Sequence, residues 1–487
     1  MKLADVLTGI PLVQLCGNKE ENIQGIVHSS KLVQTGFLFV AMKGEKTDGL
    51  KFLDESLGRG AVAVLSDRQM PEDFPKSWIQ VTDARLALAL CAANFYGHPS
   101  EDIDVIGITG TKGKTTVTYI LESILSKAGF RPGVLGTITY RGPKGELTAD
   151  RTTPEAPDLQ RMLREMVNDG ATHCVMEVSS HALALHRVSG IDFRVTVFTN
   201  LSGEHLDYHQ SMEQYFEAKK KLFLLPGKKR IAAINTDDPW GLKLSSALTS
   251  GMIPFGTGPE AMIRAESFSF SQNGIRTEIA YPAGKISVRS PLLGRPNVYN
   301  ILAATTCALA LNIPIHAIKE GIASLHGVPG RFEQIDNSLG IQIFVDYAHT
   351  DDPLKNLLET ARELCEGKII LVFGAGGDRD RTKRSRMGKV AGDLADWTII
   401  TSDNPRSEDP AAIIAEIVAG IQKSRSNNYG IQPDRKKAIR EALSLARKGD
   451  CVLVAGKGHE TYQIIQDDVF PFDDAKVIRE IIKDMEA

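Results

Sequence analysis

Residues 107–116 read Gly-Ile-Thr-Gly-Thr-Lys-Gly-Lys-Thr-Thr, a glycine-rich run that closes on a lysine and two hydroxyls. That combination suits a nucleoside triphosphate. Backbone N–H groups of Gly110, Thr111, Lys112, Gly113 and Lys114 can cradle phosphate, the Lys114 ammonium can reach the β and γ phosphates, and the Thr115 hydroxyl, followed by Thr116, can face Mg²⁺. The spacing departs from the strict phosphate-loop pattern, because Ile108 stands five places before Gly113 and the glycines fall at Gly107, Gly110 and Gly113. A second set comprises Glu177 in "CVMEVSSHAL", His205, Asp207 and His209 in "EHLDYH", and Lys219 in "EAKKK". Carboxylate and imidazole can bind a cation, whereas "AKKK" by itself reads as a solvated helix face. The third set is "TSDNPRSEDP", with Asp403, Asn404, Pro405 and Arg406. Asn-Pro makes a turn; a guanidinium matches a carboxylate and Asp accepts from an ammonium. The stretch therefore fits a small zwitterion, or else a helix start with solvated charges.

These residues need strands and helices to place them. "VIGIT" before the glycines is a strand, and Val117, Ile120, Leu121, Ile124, Leu125 and Ala128 after them follow the helical period, with Gly129 as a stop. From about residue 99 to 329, "HCVMEV", "FRVTVFTN" and "RIAAIN" alternate with helical patterns, which implies a mainly parallel sheet with helices on both faces. A strand-rich excursion at 263–292 precedes the helix in "GRPNVYNILAATTCALAL". "GVPGRF" looks like a hinge, and "IQIFVDY", "KIILVFGAGG", "DWTIITS" and "CVLVAGKG" then form a second alternating α/β set. The expected domains are 1–98, 99–329 and 330–487, with working loops at strand carboxyl ends.

Composition narrows the function. The chain has 487 residues, 42% of them hydrophobic and 24% charged, which describes an ordinary globular protein with ample core. Its net charge of −3 supplies no basic field for nucleic acid or membrane. The six cysteines are scattered without a CxxC pair, so free thiols in a reducing compartment are expected, and no apolar run is long enough for a membrane span. The expected location is cytoplasmic.

The ordered motifs "GTKGKTT", "MEVSSHAL", "HLDYH" with "EAKK", "GRPNVYNILAA", "GRFE", "VDYAHT", "GAGGDRDRTKR", "SDNPR" and "AGKGHE" resemble those of the Mur ligases of peptidoglycan synthesis, nearest to the diaminopimelate-adding members. The resemblance covers nearly the whole chain and is weakest before residue 98. It implies an N-terminal α/β uridine-nucleotide domain, a central P-loop ATPase-like parallel-sheet domain and a C-terminal Rossmann-like α/β domain. It implies an ATP-dependent ligase that adds meso-2,6-diaminopimelate to the D-glutamate carboxylate of UDP-N-acetylmuramoyl-L-alanyl-D-glutamate through an acyl phosphate. Stereochemistry at the acceptor depends on pocket shape, which spacing does not encode.

By the same resemblance, Lys114, Glu177, His205 and Lys219 are catalytic. Thr115 and Glu177 would hold one Mg²⁺, and Glu177, His205 and a carbamylated Lys219 a second. Asn300, Arg331 and Asp346 join the phosphate loop at ATP. Ser30, Glu45, Lys46, Thr47, Thr152, Thr153, Ser179 and Arg187 match positions that contact the UDP-muramoyl-dipeptide. Arg379, Asp403, Asn404, Pro405, Arg406, Gly456 and Glu460 match the diaminopimelate pocket, with Arg406 gripping the distal carboxylate and Glu460 accepting from the distal ammonium. Ser29-Ser30-Lys31, Arg151, Leu185 and Asp351 depart from the family's usual residues. Nucleotide and amino acid would bind on different domains, so closure is expected to precede chemistry. The partners implied are these small molecules alone, with no nucleic acid, no membrane segment and a monomeric enzyme.

Overall fold

Short β-branched runs between helical periods fold here into parallel sheets buried on both faces. The computed structural model describes residues 1–44, 47–227, 230–426 and 428–486. The chain divides into two compact units, one of Met1–Arg264 with Ala280–Gly284 and Tyr299–Gly321, the other of Ala265–Ile279 with Lys285–Val298 and Ile322–Ala487.

The first unit contains a five-stranded sheet in the order Leu12–Cys16, Ser77–Val81, Ala61–Ser66, Phe37–Ala41, Gly25–Val27. Its first pair is antiparallel and the rest parallel. Side chains alternate, so Leu38 and Val40 face the helix Ala84–Phe95 while Phe39 packs with Val64 and Trp78 on the other side. The larger sheet of this unit runs Met252–Gly256, Ile231–Asn235, Phe193–Phe198, Asp104–Thr109, His173–Glu177, Pro132–Leu135, all parallel. Two antiparallel strands, Thr139–Gly142 and Gly145–Thr148, extend it. Strand order reverses beside Asp104–Thr109, where open parallel sheets bind ligands. Register sets Glu177 beside Ile108 and Phe198 beside Thr109, so three successive loops open along one edge. The strand-rich excursion is present as Ile263–Ser271, Gly274–Tyr281 and Gly284–Ser290, neighbours in that order.

The second unit is built on six strands in the order Glu333–Gln334, Gln342–Asp346, Cys451–Ala455, Ile369–Phe373, Trp397–Ile400, Tyr429–Ile431, antiparallel only at the first pair. Helices Asp351–Leu364, Thr382–Leu394 and Pro410–Ile421 bury Leu354, Met387 and Ile417 on one face. Helices Arg435–Leu445 and Asp474–Glu486 bury Ile439 and Ile478 on the other. Between the last two helices, Arg435 grips Asp474 with bonds of 2.8 and 2.6 Å and donates to the Ala455 carbonyl at 3.0 Å. A hairpin, Tyr462–Ile465 with Asp468–Pro471, follows the last sheet strand. Among the described residues, no helix is long and apolar enough to cross a membrane.

Candidate active site

The strand Asp104–Thr109 ends in Gly110 at φ +149°, and the helix Lys114–Lys127 begins after Gly113 at φ +87°. A Cβ on Gly110 would lie 1.9 Å from the Thr199 hydroxyl oxygen, and one on Gly113 would lie 2.4 Å from Asn300 Oδ1. Both positions need glycine for conformation and for space. Sequence distance hides the brace under this loop. Thr111 N–H donates to the Asn200 carbonyl at 2.9 Å and Lys112 N–H to Asn200 Oδ1 at 3.0 Å. The Thr199 hydroxyl and Asn200 amide return bonds of 2.7 and 3.1 Å to the Lys112 carbonyl. No side chain caps the helix at Gly113, and its positive end faces the loop. Lys114 Nζ donates to the Gly110 and Thr111 carbonyls at 3.0 and 2.9 Å.

Lys219 approaches the same point. It projects from the helix Met212–Leu224, is 1% exposed, and donates from Nζ to the Gly110 carbonyl at 2.8 Å. The solvated-face reading of "AKKK" thus fails at Lys219, because the buried stripe of Tyr215, Phe216, Leu222 and Phe223 carries it inward. Its Nζ lies 4.6 Å from the Tyr215 ring, and the Tyr215 hydroxyl is 3.2 Å from Thr111 Oγ1. Burial, then the nearby Lys114, pull the Lys219 ammonium well below its ordinary 10.5, against the pull of Glu204. His205 adopts φ 58° and its ring sits 5.0 Å from that of His181. Burial, with His181, Lys114 and Lys219, pushes His205 down to about 4 despite Glu204. His209 stacks on Tyr215 at 5.1 Å and shares a 2.9 Å bond with the Ser180 hydroxyl. Burial and the cations around it push His209 to about 4 as well.

Glu177 ends its strand and is 1% exposed. Its two oxygens accept from the Thr137 N–H at 2.9 Å and the Thr137 hydroxyl at 3.0 Å, and Thr137 Oγ1 lies 3.1 Å from Thr152 Oγ1. The Thr153 hydroxyl donates to the Glu177 carbonyl at 2.9 Å and accepts from Ser179 N–H at 3.1 Å. Arg187 donates to the Thr153 carbonyl at 3.1 Å and pairs with Glu155 at 2.7 Å. The residues expected at the muramoyl-dipeptide, Thr152, Thr153, Ser179 and Arg187, are therefore gathered around one strand end. Ser30 is buried with its hydroxyl on Glu55 at 2.9 Å, and Thr47 is exposed. Glu45 and Lys46 lie outside the described residues.

In the second unit, Asp346 accepts from Phe332 N–H at 2.7 Å and Ala348 N–H at 2.8 Å, and the Arg331 guanidinium lies 4.8 Å from the Tyr347 ring centre. The turn after Trp397–Ile400 places Asp403 and Asn404 in buried positions. Asn404 donates to Glu460 at 2.8 Å and its Oδ1 accepts from Ile464 N–H at 2.9 Å. Gly456 adopts φ +114°, and a Cβ there would lie 2.7 Å from an Asp403 carboxylate oxygen. Arg406 adopts φ 51°, donates from Nη1 to the Gly377 carbonyl at 2.7 Å, and its N–H reaches the Ile464 carbonyl at 3.1 Å. Gly376 sits within 4.0 Å of both Arg406 and Arg379 side chains by its Cβ position. Arg379, Asp403, Asn404, Pro405, Arg406, Gly456 and Glu460 thus share one loop cluster.

Sequence reading missed three supports. Thr137 and Asn200 carry no motif of their own, and Lys457 stands inside "AGKGHE" without being singled out there. The only signal for each is a polar residue just beyond a buried strand end. Among the described residues no group of three or more His, Cys, Asp or Glu side chains is arranged to hold a metal.

Residues 22–96 match the catalytic domain of the Mur ligase family, 108–308 the Mur ligase middle domain, and 330–458 the Mur ligase glutamate ligase domain. The chain is 46% identical to the UDP-N-acetylmuramoyl-L-alanyl-D-glutamate–2,6-diaminopimelate ligase of Geobacter metallireducens, over 100% of this chain and 99% of the relative. It is 43% identical to the enzyme of that name from Caldanaerobacter subterraneus, over 100% of each. A solved structure of a UDP-N-acetylmuramoyl-L-alanyl-D-glutamate–2,6-diaminopimelate ligase superposes with a TM-score of 0.71 at 31% identity, covering 100% of this chain and 99% of that one. MurF ligase from Thermotoga maritima shares the fold, with a TM-score of 0.63 at 22% identity over 95% and 98% of the two chains.

Proposed function

The chain belongs to the Mur ligase family, and from that membership we propose that it joins 2,6-diaminopimelate to the D-glutamate carboxylate of UDP-N-acetylmuramoyl-L-alanyl-D-glutamate, with ATP as the energy source, in peptidoglycan precursor synthesis. The observation that carries the choice of amino acid is the loop cluster that holds the half-buried Arg406 guanidinium, bonded to the Gly377 carbonyl at 2.7 Å, together with the buried Asp403 and Asn404 and the Glu460 carboxylate bonded to Asn404. Such a cluster suits an acceptor that still presents a carboxylate and an ammonium after its other amine has reacted. Lysine lacks that distal carboxylate and cannot pair with the half-buried Arg406 guanidinium, a difference of about 2 kcal/mol.

In the reaction the D-glutamate carboxylate oxygen attacks the γ-phosphorus, and ADP leaves an acyl phosphate. The unprotonated acceptor amine then adds to the acyl carbon, and phosphate departs as the amide forms. Both reactants of the first step are anions, so the site must supply positive charge. In this chain Lys114, the positive end of its helix and the loop N–H groups are suited to hold the phosphates. Asn300 beside Gly113 completes that loop, and the family resemblance assigns Arg331 and Asp346 to ATP as well. Thr152, Thr153, Ser179 and Arg187 are assigned to the muramoyl-dipeptide, and Arg379, Pro405 and Gly456 to the acceptor with the cluster above.

Mg²⁺ would be held by the Thr115 hydroxyl and Glu177, and a second ion by Glu177, His205 and Lys219, where it would neutralise phosphate oxygens. The donor set fits only if Lys219 becomes an anion. Lys114 and Lys219 crowd one carbonyl, that of Gly110, at 3.0 and 2.8 Å. Carbamylation, in which the neutral amine adds CO₂ and loses a proton, would replace this like-charge contact by an ion pair. The carbamate is checked by ¹³C NMR of enzyme in labelled bicarbonate, where wild type should show a signal that Lys219→Ala lacks. The six cysteines stand as free thiols, which supports a cytoplasmic enzyme; it is taken to work as a monomer, which sedimentation will check.

The deciding experiment measures phosphate release by the purified enzyme with ATP, the nucleotide dipeptide and a panel of meso- and LL-diaminopimelate, lysine and ornithine. Release should require both the dipeptide and an amino acid, and diaminopimelate should be the best acceptor. Release without an amino acid, or faster release with lysine, would overturn the assignment.

A further inference from the structure

Lys457 lies between Gly456 and Gly458, in the loop that leaves the buried strand Cys451–Ala455. Its side chain is 0% exposed, yet it carries an ammonium. Nζ sits 3.1 Å from Asn404 Oδ1, 3.5 Å from a Glu460 oxygen and 3.6 Å from an Asp403 oxygen. Asn404 in turn donates to the same Glu460 oxygen at 2.8 Å. One buried cation therefore touches three side chains assigned above to the acceptor amino acid. A buried ammonium without counter-charge is strongly disfavoured, and two carboxylates at this separation repel one another unless a cation lies between them. With both carboxylates ionised, Lys457 lies between them and the buried Lys383 also acts on Asp403, so Glu460 keeps the negative charge that a cationic ligand group can meet.

We propose that Lys457 is the positioning residue of the acceptor pocket: it fixes Asp403, Asn404 and Glu460 in one arrangement and cancels one of the two carboxylates, so that Glu460 is left to receive the ammonium of an incoming diamino acid. The inference rests on the acceptor-pocket reading given under the proposed function. Lys457 needs no contact with the amino acid to do this; it acts through its three neighbours.

The charge arrangement gives the proposal a readout that a merely structural lysine would not move. Burial, and then Asp403, hold the Glu460 carboxyl above its ordinary range, while Lys457 and Asn404 oppose them. Arg435, Tyr347 and Tyr462 are the other charged or titratable groups that sense Glu460. Removing the Lys457 ammonium takes away a charge that favours ionised Glu460, so the carboxyl keeps its proton to higher pH. A protonated Glu460 cannot pair with an ammonium, and acceptor use must then fail at the acid end of the range.

The test is Lys457→Met, assayed for acceptor kcat/KM across pH beside the wild type. The expected result is a rise of about tenfold or more in KM for diaminopimelate at neutral pH, with KM for ATP unchanged, and an acid-side inflection displaced by about one pH unit upward. An unmoved inflection, or an equal rise in KM for ATP, would overturn the proposal. Folding is separated from recognition by Lys457→Met/Glu460→Gln, which removes one cation and one anion together. This variant should be less destabilised than Lys457→Met alone, lose the inflection, and show an acceptor KM below the product of the two single effects but above that of Glu460→Gln alone, because Lys457 still fixes Asp403 and Asn404 when Glu460 is gone. Additive losses in the double variant would show that Lys457 does not act through Glu460 and would also overturn it. A wild type that ligates no diaminopimelate would bring down the functional reading and this inference together, whereas an active wild type with an unaltered Lys457→Met profile would bring down this inference alone.

Discussion

Beyond Asp104–Thr109 the main chain does most of the holding, through Gly110, Gly113 and a helix start braced by Asn200. Beyond Trp397–Ile400 side chains do it, with Asp403, Asn404, Lys457 and Glu460 bonded into a buried polar cluster. The ligands explain the contrast. A phosphate has the same oxygens in every nucleotide, so backbone N–H groups and a lysine suffice to bind it. Amino acids differ only in their side chains, so telling one from another takes side chains whose charges must be matched or left unpaired. One region is built for affinity to a constant group, the other for choice.

If this contrast is sound, damage to the first region should abolish turnover for every acceptor. Lys114→Met should lower kcat by about a thousandfold, equally for diaminopimelate and lysine, since it removes charge stabilisation at the transferring phosphoryl group. A loss that depended on the acceptor would blur the division. Next in size, Lys219→Ala should cost about a hundredfold in kcat, again for all acceptors, and added formate or acetate should restore part of it by supplying the missing carboxylate. Full activity without rescue would remove Lys219 from the reaction. The smallest but most selective effect belongs to the second region. Arg406→Ala should reduce kcat/KM for diaminopimelate by about thirtyfold, equivalent to about 2 kcal/mol, and leave lysine use nearly unchanged. Equal losses on both acceptors would make Arg406 a scaffold for the Gly377 carbonyl and not a reader of the distal carboxylate.

Much of the first region could be read from the sequence because its signals are local. Gly110, Gly113 and Lys114 lie within five residues of one another, and the helical period from Val117 to Ala128 predicts the observed helix Lys114–Lys127. Asn200 was invisible because it reaches the loop from beyond a different strand, and no spacing rule links residues 88 positions apart. Locally, three consecutive lysines suggest solvent, so Lys219 is singled out by the family resemblance alone, and the packing of Tyr215 and Phe216 shows why it turns inward. In the second region Asp403 to Arg406 announced themselves by the Asn-Pro turn. Lys457 stood unremarked within "AGKGHE", because a lysine between glycines normally signals a flexible, wet loop, and two of its three contacts are with Asp403 and Asn404, more than fifty positions away.

The ion pair of Arg435 with Asp474, both 0% exposed, ties the final helix to the carbonyl of Ala455, the residue just before Gly456. Shortening the chain by that helix would strand a guanidinium beneath the acceptor loop, a defect of about 3 to 5 kcal/mol for a buried pair that loses one member. The tail is thus the floor on which the acceptor loop rests, and the same helix also buries Val477, Ile478 and Ile481 against the sheet.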